Sequence, residues 1–180
     1  MAIEEYCSVI ITPDSVRDGI EDALINEIIE KTCSCVIWAK RLMVERKSVD
    51  FIYPQKINKP YFPSMVENIV VGHSLVSILK GDNNLSSRVK RLKGRFYVHK
   101  DGRLEIDGLR LKYGARIVKK KKETGSLDVY EFRLHTSENL QEAAVVCAVC
   151  ANEEEINHLK YLAPPLYFEI QKVVADMRVS

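Results

Sequence analysis

Residues 5–29 read EYCSVIITPDSVRDGIEDALINEII, and this stretch sets the fold class. Its first part, residues 5–12, is an apolar, β-branched run that predicts a buried strand. Pro13-Asp14-Ser15 punctuates it. Ile20, Leu24, Ile25, Ile28 and Ile29 then recur at helical spacing and predict a helix over about 18–31.

Working outward, residues 34–45 (SCVIWAKRLMVE) predict a second strand, followed by a polar stretch around 46–60 that ends in Lys59-Pro60. Met65, Val66, Ile69 and Val70 mark a short helix. Residues 74–80 (SLVSILK) predict a third buried strand, stopped by Gly81-Asp82-Asn83-Asn84, and a basic helix follows at about 84–93. From 95 to 135 the texture changes. FYVHKDGRLEI (96–106) predicts a hairpin turning at Lys100-Asp101-Gly102, and residues 115–135 predict another turning near Glu123-Thr124-Gly125. Within the second hairpin Val129, Glu131 and Arg133 alternate with Tyr130, Phe132 and Leu134, so His135 ends a strand. A helix opens after His135, with Ser137 as its predicted N-cap, and two more helical pieces flank Pro164-Pro165.

The element order is β-α-β-(α-α)-β-α-β-α, with a β-rich insertion at about 95–127. It predicts one α+β domain over 1–180, an antiparallel ferredoxin-like sheet with helices, and a C-terminal helical extension at about 162–180. Hydrophobic residues make up 46% of the 180, enough for a substantial core. Lys plus Arg number 27 against 25 Asp plus Glu, so bulk charge does not draw the chain to nucleic acid. No apolar run approaches the roughly 18–20 residues of a membrane span. The N-terminus has no signal-peptide pattern, and five cysteines, an odd count, do not make a disulfide framework. The expected location is a reducing, cytoplasmic one.

Several short segments, in order, resemble nucleoside diphosphate kinases. Ile11-Thr12-Pro13-Asp14-Ser15-Val16 stands where that family shows Lys-Pro-Asp-Gly-Val. Gly19 opens the amphipathic helix, with Asn26-Glu27-Ile28-Ile29 within it. Tyr53 follows the second strand, and Lys59-Pro60-Tyr61-Phe62, continued by Met65-Val66, is similar to the family's Arg-Pro-Phe-Phe helix. Gly72 and the strand to Lys80-Gly81 match the third strand, and Arg88 falls at a phosphate-binding arginine. Leu134-His135-Thr136-Ser137-Glu138-Asn139 resembles the element that carries the family's nucleophilic histidine. The resemblance covers about 4–94 and 128–160.

The resemblance implies transfer of a γ-phosphoryl group from a nucleoside triphosphate to a nucleoside diphosphate. His135 would take the phosphoryl and hand it on, which suits an imidazole that is neutral and nucleophilic near pH 7. Tyr53 would lie beside it. Tyr61 would stack on the base, with Met65 alongside, and Arg88 and Arg110 would meet the phosphates. Arg110 is chosen because Arg-x-x-Tyr-Gly, Arg110 to Gly114, is similar to the family's Arg-Gly-Asp-Phe-Gly. Mg²⁺ is expected through the nucleotide phosphates rather than a protein metal site, and a homo-oligomer is expected.

The sequence also departs from the family pattern. Thr12 replaces its active-site lysine, Phe132 an asparagine that touches ribose and phosphates, and Val146 a glutamate that orients the histidine. Gly94 stands at a threonine. A second reading is therefore a family-fold protein with impaired catalysis, acting as a nucleotide-binding or assembly module. Nucleic-acid binding through Lys119 to Lys122 and the basic helix ranks last, because charge runs are usually solvated faces. Cys147 and Cys150 have zinc-like spacing but lie in an apolar run, and read as buried core thiols. Neither a P-loop nor a GxGxxG fingerprint is present.

Overall fold

The structure, a computed structural model, describes residues 3–99, 103–122 and 125–179. β1 (Glu5–Ile11) lies inside the main sheet. It pairs antiparallel with β3 (Ser74–Gly81) from Glu5↔Gly81 to Ile11↔Leu75, and on its other side with β8 (Leu134–Thr136), where Ile10 stands opposite His135. β2 (Cys35–Leu42) pairs with the far edge of β3 and carries an irregularity between Val36 and Trp38. The strand order is β2-β3-β1-β8.

Strand alternation divides the core. Cys7, Val9 and Ile11 face one side of β1, packing with Leu24 and Ile28 of α2 (Glu21–Thr32) and Leu85 and Val89 of α5 (Leu85–Lys93). Ile10 faces the other side, with Val49 of α3 (Arg46–Ile52), Val66 and Ile69 of α4 (Phe62–Val70), and Phe132. A third cluster joins Tyr6 and Ile78 to α7 (Leu140–Cys150), α8 (Glu153–Leu162) and α9 (Pro164–Val179). The first turn after β1 is a short helix, α1 (Pro13–Arg17).

The antiparallel α+β arrangement is the expected one, and several local expectations are corrected. The polar stretch at 46–60 contains α3 and a 3-10 turn at Pro54–Lys56. Its Val49, Ile52 and Tyr53 are buried at i, i+3 and i+4, a short apolar stripe among polar neighbours. The two hairpins form, as β4 (Phe96–Val98) with β5 (Leu104–Ile106), and β6 (Arg116–Lys122) with β7 (Gly125–Glu131). The expected turn at 100–102, and residues 123–124 of the second, lie outside the described residues. A helix not expected there, α6 (Gly108–Lys112), links the hairpins.

The alternating strand to His135 is interrupted. β7 ends at Glu131, and Arg133 adopts φ 68 before β8 joins the main sheet. This left-handed residue is buried, and its guanidinium donates to Asp18 Oδ2 at 2.6 Å, the Asp14 carbonyl at 3.2 Å and the Gly114 carbonyl at 3.0 Å. These bonds offset the cost of the backbone strain. Ser137 is not the N-cap of α7. Its Oγ accepts the Ser8 N–H at 2.8 Å, and Asn139 caps the helix by accepting the Glu142 N–H at 2.8 Å. Cys147 and Cys150 are buried, and burial pushes both thiols up, Cys150 to about 12. Among the described residues no helix is long and apolar enough to cross a membrane.

Candidate active site

A cavity of about 450 Å³ opens where the main sheet meets the insertion. The main fold supplies Tyr53, Gln55, Lys56, Tyr61 and Met65 from the segment around α3 and α4. Lys93 enters from the last turn of α5, and His135 and Thr136 from β8. The insertion and its return close the cavity with Phe96, Arg110, Tyr130 and Phe132, and Glu138 and Glu142 stand at the start of α7. Of the sequence-predicted residues, the structure brings together His135, Tyr53, Tyr61, Met65 and Arg110. It does not bring Arg88, whose guanidinium pairs with Asp82 away from the cavity lining.

Register fixes His135, since pairing with Ile10 holds it at the sheet edge. Its ring stands nearly perpendicular to that of Tyr53, 4.4 Å between centroids, and Phe132 lies at 6.5 Å. Among the described residues no side chain hydrogen-bonds the imidazole, so packing positions it. Val146, where the resemblance expects an orienting glutamate, is buried in the apolar cluster with Phe132. Burial, reinforced by Lys56, Lys93 and Arg110, holds the His135 pKa well below the usual histidine range. The imidazole is thus neutral at pH 7 and has a free lone pair.

Arg110 and Lys93 are held by backbone and hydroxyl oxygens, and among the described residues no carboxylate pairs with either. Arg110 donates to the Leu134 carbonyl at 3.0 Å and sits 5.8 Å over the Phe132 ring. Burial lowers its pKa to about 10. Lys93 donates to Thr136 Oγ1 at 2.8 Å, and Lys56 lies over the Tyr53 ring at 4.9 Å. Gly94 makes this convergence possible. It has φ 81, and a Cβ there would clash with the Asp107 carbonyl oxygen, so α5 can end against the start of α6 only with glycine. Lys93 and Arg110 are brought to one wall by that contact.

Thr12 is fully buried, is not part of the cavity lining, and donates its backbone N–H to the Arg133 carbonyl at 3.0 Å. Lys93, a cation of the cavity wall, is one residue that sequence reasoning missed. A signal for it exists: Leu85, Val89 and Lys93 follow one another at i+4, so the lysine lies on the buried stripe of α5. Lys56, Phe96, Tyr130, Glu138 and Glu142 were also not singled out. Most come from the insertion or from turns, where periodicity says little. Among the described residues no cluster of three or more His, Cys, Asp or Glu side chains is arranged to hold a metal ion.

A buried neutral histidine at the edge of an antiparallel sheet thus shares one cavity with Lys56, Lys93 and Arg110 on an α+β fold. The family model described as nucleoside diphosphate kinase matches residues 5–156. The chain belongs to the nucleoside diphosphate kinase family. It is 33% identical over 87 residues to a nucleoside diphosphate kinase of Methylocella silvestris, covering 48% of this chain and 61% of the relative. With one from Wolbachia pipientis subsp. Culex pipiens it shares 33% over 86 residues, 48% of this chain and 60% of that one. The matches thus span about three fifths of these curated relatives' length. The fold is similar to that of the Aquifex aeolicus enzyme, with a TM-score of 0.65 at 16% identity over 85% of this chain and 99% of that one. It is also similar to the Halobacterium salinarum enzyme solved in complex with CDP, with a TM-score of 0.64 at 18% identity over 85% and 91%.

Proposed function

We propose that the chain is a nucleoside diphosphate kinase working through a phosphohistidine at His135. The observation that carries this is the neutral, buried imidazole sharing one cavity with Lys56, Lys93 and Arg110. The ring lone pair attacks the γ-phosphorus of a nucleoside triphosphate. An N–P bond forms, and the bond from phosphorus to the β–γ bridging oxygen breaks, releasing a nucleoside diphosphate. The other ring nitrogen keeps its proton throughout. A second nucleoside diphosphate then attacks the phosphoryl with a terminal oxygen, the N–P bond breaks, and neutral imidazole returns.

The same cations that disfavour imidazolium favour negative charge gathering on the phosphoryl oxygens. Tyr61, half in solvent at the cavity wall, offers a face for a base without selecting which base, consistent with the bound CDP of the Halobacterium relative. Mg²⁺ bound through the phosphates would supply further charge neutralisation. The cavity fits such a complex, because its side chains provide cations for the phosphates and Glu138 and Glu142 beside them. Homo-oligomer formation and a cytoplasmic location extend the reading, the latter in keeping with free thiols at all five cysteines.

The test is direct. Purified protein and a His135→Ala variant are incubated with γ-labelled ATP and Mg²⁺, then chased with GDP. We expect acid-labile, base-stable label on the wild type alone, discharged to GTP. Absence of label at high enzyme and nucleotide would overturn the kinase reading in favour of a binding or assembly module.

A further inference from the structure

Lys93 is buried, with 8% of its surface exposed, and it ends the apolar stripe of α5 inside the cavity. One of its three ammonium protons goes to Thr136 Oγ1, on the residue directly after His135. Among the described residues no carboxylate pairs with it. The two acids on the same cavity are engaged elsewhere, Glu138 by Lys90 at 2.7 Å and Glu142 by the Glu138 N–H at 2.8 Å. A buried ammonium without a counter-ion is costly, and it is the arrangement an anionic ligand relieves.

The groups around it point the same way. Arg110 of α6, Lys56 of the 3-10 turn and, least, Lys90 of its own helix repel its charge; Cys7 of β1 would favour it only as a thiolate, and burial pushes that thiol up to about 11. Burial, with these cations, lowers the Lys93 pKa to about 7. The ammonium therefore sits at the edge of deprotonation near neutral pH.

We infer that Lys93 is the phosphate-binding lysine of this cavity, delivered from the end of α5 to the phosphoryl oxygens beside His135, because Thr12 at the end of β1 cannot supply one. The inference rests on the proposed function for its ligand, a nucleoside triphosphate. It carries a consequence that a purely structural lysine lacks. Binding the polyphosphate raises the lysine's pKa, so at pH 8 the complex takes up to about one proton as it forms.

The test measures calorimetric binding of Mg-ATP and of adenosine to wild type, Lys93→Met and Arg91→Met. Buffers of different ionisation enthalpy report proton uptake, and the His135 label is followed in parallel. Methionine matches the lysine stem in length and suits the buried stripe; a thermal melt checks that the variant folds. We expect Lys93→Met to weaken Mg-ATP binding about 10–100-fold, as loss of a charge-assisted contact implies, with adenosine unaffected. Proton uptake at pH 8 falls in Lys93→Met, and Arg91→Met, on the exposed side of α5, behaves as wild type.

Equal losses for ATP and adenosine, ATP affinity within about twofold of wild type, or unchanged proton uptake would each overturn the inference. The two readings fail separately. A labelled wild type whose ATP affinity ignores Lys93→Met removes the lysine and leaves the transfer. ATP affinity that depends on Lys93, with no label on His135, removes the transfer and supports the lysine. No nucleotide binding by the wild type removes both.

Discussion

The rings of Tyr53 and His135 meet edge to face, 4.4 Å between centroids and 86° between planes. This contact holds the imidazole in place of the hydrogen-bonded carboxylate that Val146 cannot provide. The Tyr53 hydroxyl is itself buried, with no hydrogen-bond partner among the described residues. Tyr53→Phe should therefore keep the fold at equal or slightly greater stability, because no buried donor is left unpaired. Tyr53→Ala should cost about 3–5 kcal/mol, the usual price of emptying an aromatic core position. Its transfer rate should fall more than stability explains, because the histidine can turn. Denaturant melts and phosphohistidine formation rates on both variants check this pair.

His135 makes the protein acid-sensitive. Its folded pKa lies well below the usual histidine value, so below about pH 6.5 the unfolded chain binds a proton that the folded one refuses. Stability should be fully present above that pH and fall as pH drops through it. Chemical denaturation at steps from pH 7.5 to 5 should show this decline, and His135→Gln should flatten it. A wild type and variant with parallel pH profiles would contradict the buried neutral imidazole.

Lys93 contributes with the opposite arithmetic. Its folded pKa of about 7 is below the ordinary lysine value of 10.5, so between those values the unfolded state holds more protons and stability rises with pH. Lys93→Met lacks this rise. At about 1.4 kcal/mol per unit, the full displacement sets an upper limit of roughly 5 kcal/mol. We expect the variant to be about 1–3 kcal/mol more stable than wild type at pH 7. The advantage should vanish by about pH 10.

Gly94 is predicted to be intolerant of any side chain. An alanine there combines φ 81 with a clash against the Asp107 carbonyl, which is backbone and cannot swing away. Gly94→Ala should destabilise by more than about 1 kcal/mol. It should also weaken nucleotide binding, because Lys93 and Arg110 lose their common wall. Gly19→Ala is the comparison: it has φ 68 but no atom within 4 Å of the added carbon, so it carries the conformational cost alone.

Much of this was legible in the residues. β1, β3 and α2 follow their apolar periodicity, and Tyr53, Tyr61, Met65, Arg110 and His135 converge on the cavity. What was not legible depended on tertiary competition. Ser137 has the chemistry of a cap, yet the Ser8 N–H claims its hydroxyl, and Asn139 caps the helix. Arg88 and Lys93 sit in one basic run, and the run alone does not distinguish them. Helical phase does: Lys93 shares the buried face of Leu85 and Val89, whereas Arg88 reaches Asp82. Glu131 and Arg133, charged residues on one face of a strand, turned out to be buried and ion-paired, Glu131 with Arg17 at 2.9 Å and Arg116 at 2.8 Å.

Arg133 has an implication for how this chain can change. Its guanidinium joins the turn after β1, through Asp18 and the Asp14 carbonyl, to Gly114 inside the insertion, two residues before the histidine. Phe96, Arg110 and Tyr130, three parts of the cavity wall, come from the same segment or its returning strand. The segment between α5 and β8 is therefore not an exchangeable cassette. A chimaera with this segment shortened would lose its anchor and its walls together.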